Sequence, residues 1–289
     1  MEKKVGYDLH LHTEWSYDAL SKVEDYFREA QQRRLRAIAI TDHHHMDGYG
    51  DVRACAKKYP DVRFVAGGEL TVHCPLGTFD LVCLNLPLEE TPALAPLWQT
   101  YHEWQRAYGH SYSVNFMRLG FDFDDDARLK LLQSYRDPRI IAVQGNTHVR
   151  YATIRDECIR RGWCADEAAY KKLSASFIDR PDYPEYDIVV PHVKRVGGIV
   201  LMAHPCDYFN QFDEKKLDEL REMLQLDGFE CAQTNMPPEA NEFYRAYCKK
   251  RGLLSSAGTD IHHAPFDRLG GHGGPDEWLD ELLERVTLH

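Results

Sequence analysis

An α/β fold built on a parallel sheet or barrel is predicted by two patterns. Short β-rich runs alternate with helical stretches at both ends of the chain, and several apolar strands end abruptly in His, Asp or Glu. The 289 residues, 43% hydrophobic and 28% charged, suit one large domain or a domain carrying an insertion. Sixteen Tyr, twelve Phe and five Trp supply apolar area for a sizeable core and exclude a disordered chain.

At the N-terminal end, residues 5–12 read as a strand, 23–34 as a helix, 36–41 as a strand, 47–58 as a helix and 62–67 as a strand. Toward the other end, residues 198–203, 228–231 and 253–257 read as strands, with helices at 215–224, 239–250 and 276–286. The middle turns helical and aromatic-rich, with one further strand expected at 139–143 and a Pro/Tyr-rich exit. The expected organisation is a β/α core from residues 1–91 and 188–289 with a helical insertion at 92–187.

No apolar run reaches the roughly 18–20 residues that span a bilayer, and residues 1–10 lack the apolar segment and small-residue cleavage site of a signal peptide. A cytoplasmic location is expected. The eight cysteines form no CxxC pair, so reduced, mostly buried thiols are expected. A net charge of −11 repels polyanions and argues against an extended nucleic-acid surface. A small anion would need a local reversal of that field.

The histidines supply one. On a strand, Asp8, His10 and His12 share a face while Leu9 and Leu11 share the other, so two imidazoles point at one spot. A carboxylate such as Asp8 could accept the second ring proton and set the tautomer. Four more apolar strands end in donors: Asp42-His43-His44-His45, Glu69, His204, and Asp260-Ile261-His262-His263. Strand C-terminal ends are where β/α barrels build their sites, and five donor-bearing ends on one face read as a multinuclear metal site.

The segments Asp8-Leu9-His10-Leu11-His12-Thr13, Ser16-Tyr17-Asp18, Ile40-Thr41-Asp42-His43, Gly68-Glu69, Ala203-His204-Pro205 and Gly258-Thr259-Asp260-Ile261-His262 resemble, in order and spacing, the PHP (polymerase and histidinol phosphatase) phosphoesterases. The resemblance runs from Tyr7 to about His263 and weakens in the insertion. It implies a distorted (β/α)7 barrel of TIM-like form with two or three divalent ions, Mn, Fe or Zn, held by His10, His12, Asp18, His43, Glu69, His204, Asp260 and His262, with Glu69 bridging. Where trinuclear members offer another histidine, this chain has Asp80; His73 from the preceding turn and an open position with two metals are the other readings. Asp80 alone lies in the matching strand, and a carboxylate there would favour Mn or Mg over Zn.

The resemblance is strongest to stand-alone members with a helical insertion, which act on nucleotide phosphates or short RNA ends. Their Arg-Pro-His motif is matched by Asn146-Thr147-His148, so the histidine fits and the arginine is missing. Arg150 and Arg118 are the substitute phosphate readers. The implied activity is hydrolysis of a phosphate ester of a small molecule or nucleotide by a metal-bridging hydroxide, with His148 and Asp42 as candidate acids for the leaving group. The alternatives are a metal-dependent amidohydrolase, a 5'-3' exonuclease on short RNA or DNA, and a non-catalytic metal-binding module. Gly270-Gly271-His272-Gly273-Gly274 follows no strand and lacks Lys-Ser/Thr, so it reads as a flexible loop at the barrel mouth, not as a P-loop.

Overall fold

The computed structural model describes residues 6–209 and 212–289. Val5, the expected first strand residue, and residues 1–4, read above for a signal peptide, lie outside the described residues. The chain forms two compact units, one from Met1–Trp98 with Tyr183–His289 and one from Gln99–Asp182.

In chain order the elements are β1 (Asp8–Leu11), α1 (Val23–Arg33), β2 (Ile38–Ile40), α2 (Tyr49–Lys58), β3 (Gly67–Cys74) and β4 (Gly77–Leu84). The helices α3 (Ala95–Arg118), α4 (Asp125–Gln133), α5 (Pro138–Gln144), α6 (Tyr151–Arg160) and α7 (Glu167–Ala175) follow. The chain ends with α8 (Tyr186–Arg195), β5 (Ile199–Met202), α9 (Glu214–Met223), β6 (Gly228–Gln233), α10 (Pro238–Arg251), β7 (Leu254–Gly258) and α11 (Asp276–Leu283). Among the described residues no helix is long and apolar enough to cross a membrane.

The fold is α/β, with two sheets. β1 pairs in parallel with β2, and a five-stranded sheet runs in the order β3-β4-β5-β6-β7. Its first two pairings are antiparallel and its last two parallel, so the sheet is mixed where a parallel one was expected. Single parallel bridges, Leu11 to Ile261, Ile38 to Phe64 and His43 to Glu69, link the two sheets, and among the described residues no continuous ladder closes them.

Two expected strands need correction. Residues 62–66 make only the bridge at Phe64, β3 starts at Gly67, and Glu69 sits inside β3, not past a strand end. The cause is the two-residue Pro75-Leu76 connection, which sets Cys74 opposite Gly77 and makes β3 and β4 an antiparallel hairpin. Residues 139–143 are helical, in α5. Ile140, Ile141 and Val143 suggested a strand, but Pro138 occupies the first turn and the Asp137 side chain accepts the Arg139 N–H at 2.9 Å, which starts a helix.

The core of the first unit lies between strands and helices. α1 buries Val23, Tyr26, Phe27 and Ala30, one stripe at helical spacing, and ends where Arg34 turns left-handed at φ 58°. Every residue of β1 is buried, so both the Leu9/Leu11 face and the Asp8/His10 face are removed from water. The Tyr26 hydroxyl lies 2.8 Å from the His12 carbonyl oxygen and 2.7 Å from that of Ile261, tying the exits of β1 and β7 to α1. The second unit has its own core around Phe116, Phe123, Leu132, Ile154, Cys158 and Tyr170.

β7 approaches β1 so closely at Gly258 that an added Cβ would stand 2.3 Å from the His10 Cβ and 2.7 Å from its backbone nitrogen. Neither strand can yield without moving His10. Gly258→Ala is therefore expected to destabilise the protein by about 1–3 kcal/mol, the usual range for overpacking, read as a lower thermal midpoint.

Candidate metal centre

Six chain segments deliver donors to one buried place. β1 brings His10 and His12, the turn after it Asp18, the exit of β2 His43, β3 Glu69, the exit of β5 His204, and the exit of β7 Asp260 and His262. Three overlapping groups result: His10, Glu69 and His204; His10, His12 and Asp260; His12, His43 and His262. Glu69 is central. Its Oε2 lies 3.2 Å from His10 Nε2, 3.2 Å from His12 Nε2 and 3.0 Å from His43 Nδ1, and its Oε1 lies 3.1 Å from His204 Nε2. Asp260 Oδ1 stands 3.2 Å from His12 Nε2, and Asp18 Oδ2 lies 3.4 Å from His43 Nε2 and 3.3 Å from His262 Nε2.

A second layer of contacts assigns the ring protons. His10 Nδ1 lies 3.1 Å from Glu230 Oε1, which can only accept, so the proton sits on Nδ1 and the Nε2 lone pair faces the centre. Ser16 Oγ donates to Asp42 Oδ1 at 3.1 Å and lies 3.1 Å from His12 Nδ1, which leaves it accepting from that ring and frees His12 Nε2. His262 Nδ1 is 3.0 Å from the Asp260 carbonyl oxygen, with the same result. Such partners hold imidazoles in the tautomer that ligates.

The inward atoms are the unsatisfied ones. His10 Nε2, His12 Nε2, His43 Nδ1, Asp18 Oδ1 and Asp260 Oδ1 are buried without a hydrogen-bond partner among the described residues. Close yet misdirected nitrogen and oxygen lone pairs in a buried place are costly unless a cation lies between them. The donor set, imidazoles with carboxylates, fits divalent Mn, Fe or Zn.

The electrostatics of the protein without metal point the same way. Burial alone would lower the His43 pKa, but the Asp18 and Glu69 charges overcome it and raise it to about 10. For His204, burial is outweighed by Asp207 and Glu69, and the value rises to about 11. Burial would raise the Glu69 and Asp18 carboxyls, yet their imidazole neighbours hold both well below the usual range.

Several expected residues have other surroundings. Asp8 does not take the His10 ring proton; it accepts from Thr259 N–H at 2.9 Å, from the Thr259 hydroxyl, and from Gly270 N–H at 2.9 Å, fastening the loop that carries Asp260. Glu230 plays the part expected of Asp8. It was missed, although a lone Glu inside the buried run Gly228-Phe229-Glu230-Cys231 was a signal. Asp42 accepts from Thr13 N–H at 2.6 Å, from the Thr13 hydroxyl and from Ser16, which makes it an anchor for the turn after β1. His73 lies on β3, not in a turn, with Nδ1 3.3 Å from Thr78 Oγ1. His272, in the glycine-rich loop, is buried with Nε2 2.7 Å from the Tyr7 carbonyl oxygen, so the loop packs beside the start of β1 and not at the strand exits.

In the second unit His148 is buried, its ring 5.9 Å from Trp104 and 5.2 Å from Tyr108, both edge-on. Arg128, not singled out by sequence, holds the segment before it by donating to the carbonyl oxygens of Asn146 and Thr147, both at 3.1 Å. Arg118 donates to the Ser176 carbonyl at 2.9 Å, and Arg150 Nε to Thr153 Oγ1 at 3.2 Å.

An α/β fold whose strand exits converge on a buried array of imidazoles and carboxylates makes a candidate centre for divalent metal ions. The chain belongs to the PHP domain family, whose model matches residues 8–180. Two proteins named probable phosphatases, from Pectobacterium carotovorum and Pectobacterium atrosepticum, are each 56% identical over 36 residues, which is 12% of this chain and 15% of their own length. A candidate metal-dependent phosphoesterase from Bifidobacterium adolescentis shares the fold at a TM-score of 0.74 and 22% identity, over 99% of this chain and 98% of its own. A protein named an amidohydrolase from Chromobacterium violaceum, with bound sulfate and no metal, does so at 0.75 and 18%, over 98% and 97%.

Two outcomes follow. In the metal-free protein the charged forms of His43 and His204 contribute stability fully below their ordinary value near 6.5, lost as pH rises through about 10 and 11. Divalent ions need neutral imidazoles, so metal uptake should release protons and tighten with pH, measurable by titration calorimetry in buffers of different ionisation heat. Glu230→Gln, which removes the charge oriented on His10, should weaken metal binding by about 10–100-fold, the usual effect of such outer partners; an unchanged affinity would remove Glu230 from the site.

Proposed function

We propose that this chain hydrolyses a phosphate ester of a small molecule or nucleotide, using divalent ions held by His10, His12, Asp18, His43, Glu69, His204, Asp260 and His262 in a distorted (β/α)7 barrel. The observation that carries the reading is the set of buried, unsatisfied ring nitrogens and carboxylate oxygens facing one another around Glu69. When bound, divalent ions supply the positive charge that draws a phosphate against the net −11 and that acidifies water for attack. Glu230 and Ser16 hold protons on the outward nitrogens of His10 and His12, keeping the inward nitrogens available. Asp42 and Asp8 brace the two loops that bear ligands. His148, in the helical unit, is assigned to the substrate, with Arg150 and Arg118 as weaker candidates. A cytoplasmic location is part of the same proposal.

Amide hydrolysis is the second reading, since one protein of similar fold is named an amidohydrolase. Such barrels usually place a lysine or other bridging group on a middle strand, whereas β3 carries Gly68-Glu69 and no lysine. The negative net charge weighs against an exonuclease acting on long strands.

The test is a parallel assay of p-nitrophenyl phosphate, mononucleotides, short oligonucleotides and an N-acyl amino acid after chelation and reloading with Mn²⁺, Fe²⁺ or Zn²⁺. Phosphate release is expected, rising from about pH 6 to 8 as ligands deprotonate, and His12→Ala should lose metal together with nearly all turnover. Amide cleavage without phosphate release would favour the second reading, and full activity of His12→Ala would place the chemistry elsewhere.

A further inference from the structure

The donors can be counted because a ring nitrogen serves one ion. His10 and His12 each have a single nitrogen facing inward, the other being engaged by Glu230 or Ser16. The nearest carboxylate oxygens to His10 Nε2 are Glu69 Oε2 at 3.2 Å and Asp260 Oδ1 at 3.6 Å, the same two oxygens that His12 Nε2 faces. These four groups make one complete place. Asp18, His43 and His262 make a second, with Asp18 Oδ2 between the two imidazoles. The His43 ring, whose Nδ1 stands 3.0 Å from Glu69 Oε2, is committed to that second place through Nε2, so what is left is Glu69 Oε1 with His204 Nε2, two donors 3.1 Å apart.

A third place needs a further donor, and the carboxylate on offer is Asp80. Asp80 lies opposite Thr71 in the β3–β4 ladder, and its Oδ2 comes within 4.0 Å of His204 Nε2. Both of its oxygens are already engaged. Oδ1 accepts from the Thr71 hydroxyl at 2.5 Å, and Oδ2 accepts from the Tyr208 hydroxyl at 2.5 Å. The Asp80 N–H in turn donates to the Tyr208 oxygen at 3.1 Å, so Tyr208 grips this residue at side chain and backbone together. The Tyr208 ring also stacks on His204, with centroids 5.8 Å apart and planes 28° apart.

We infer that this chain holds two metal ions, and that Tyr208 and Asp80 form a latch that closes the third place and fixes the His204 ring. Tyr208 is a positioning residue in this arrangement, and Asp80 is its anchor. The inference rests on the metal site of the proposed function and narrows it, replacing the expectation that Asp80 is a ligand.

The test is metal content. The full chain is stripped with chelator, reloaded with excess Mn²⁺, desalted and measured by plasma mass spectrometry. Two equivalents per chain are expected, and Asp80→Asn should retain both. Three equivalents in the native chain would overturn the inference, whether Asp80→Asn keeps three or drops to two. If Asp80→Asn does not fold, Tyr208→Phe decides: it leaves every donor in place, so two equivalents support the latch. Loss of an equivalent in that variant would show Tyr208 orienting an Asp80 that ligates, and would overturn it. Protein that binds no metal would overturn the proposed function and this inference with it, whereas three equivalents would overturn the inference alone.

Discussion

Glu69 is a carboxylate with about 1% of its surface exposed, and four imidazoles from three other parts of the chain close around it. Such a group cannot be left uncompensated, because a buried charge without partners costs several kcal/mol. Without metal the compensation is protonic, with His43 and His204 held charged against their carboxylates. With divalent ions the same nitrogens give up those protons and the ions supply the charge. The place is stable in either form only because protons and metal ions can exchange there.

The surrounding structure keeps that exchange in register. Glu230 spans two strand exits, meeting His10 Nδ1 through one oxygen and accepting the His204 N–H at 2.8 Å through the other. Asp8 and Asp42 accept from the loops after β7 and β1, so each loop is fastened by a buried carboxylate that does not itself face the ions. His204 and Asp260 have left-handed backbones, at φ 24° and 56°. Non-glycine residues hold such conformations only where neighbours over-determine them, and these two carry donors at the exits of β5 and β7.

In the helical unit a buried arginine does comparable work on a smaller scale. Arg128 binds the carbonyls of residues 146 and 147, and an added Cβ at Gly109 would stand 2.5 Å from the Thr147 carbonyl carbon. The backbone before His148 is thus fixed by a guanidinium from α4 and a close approach of α3. Placing that histidine by backbone contacts leaves the preceding Asn146 and Thr147 free to differ from the Arg-Pro-His pattern without loss of the turn.

The α/β character and most of the donor set were legible in the sequence, because both depend on short-range periodicity. A period of two puts Asp8, His10 and His12 on one face, and an apolar run ending in Asp42-His43 announces a strand exit whatever lies beyond it. What periodicity cannot see is which strand pairs with which, and in what direction. The β3–β4 hairpin moved Glu69 from a strand end into a strand, and capping by Asp137 turned a run with the β-branched Ile140, Ile141 and Val143 into helix. The partners that set the chemistry are the most distant in sequence: Glu230 lies 220 residues from His10, and Tyr208 lies 128 from Asp80. Asp8 had the right charge and face to orient His10, but the fold spent it on Thr259 and Gly270. Only the tertiary structure decided these pairings, because a hydrogen bond is directional and short-ranged, and the registers that bring its two ends together are properties of the packed sheet and not of any stretch of chain.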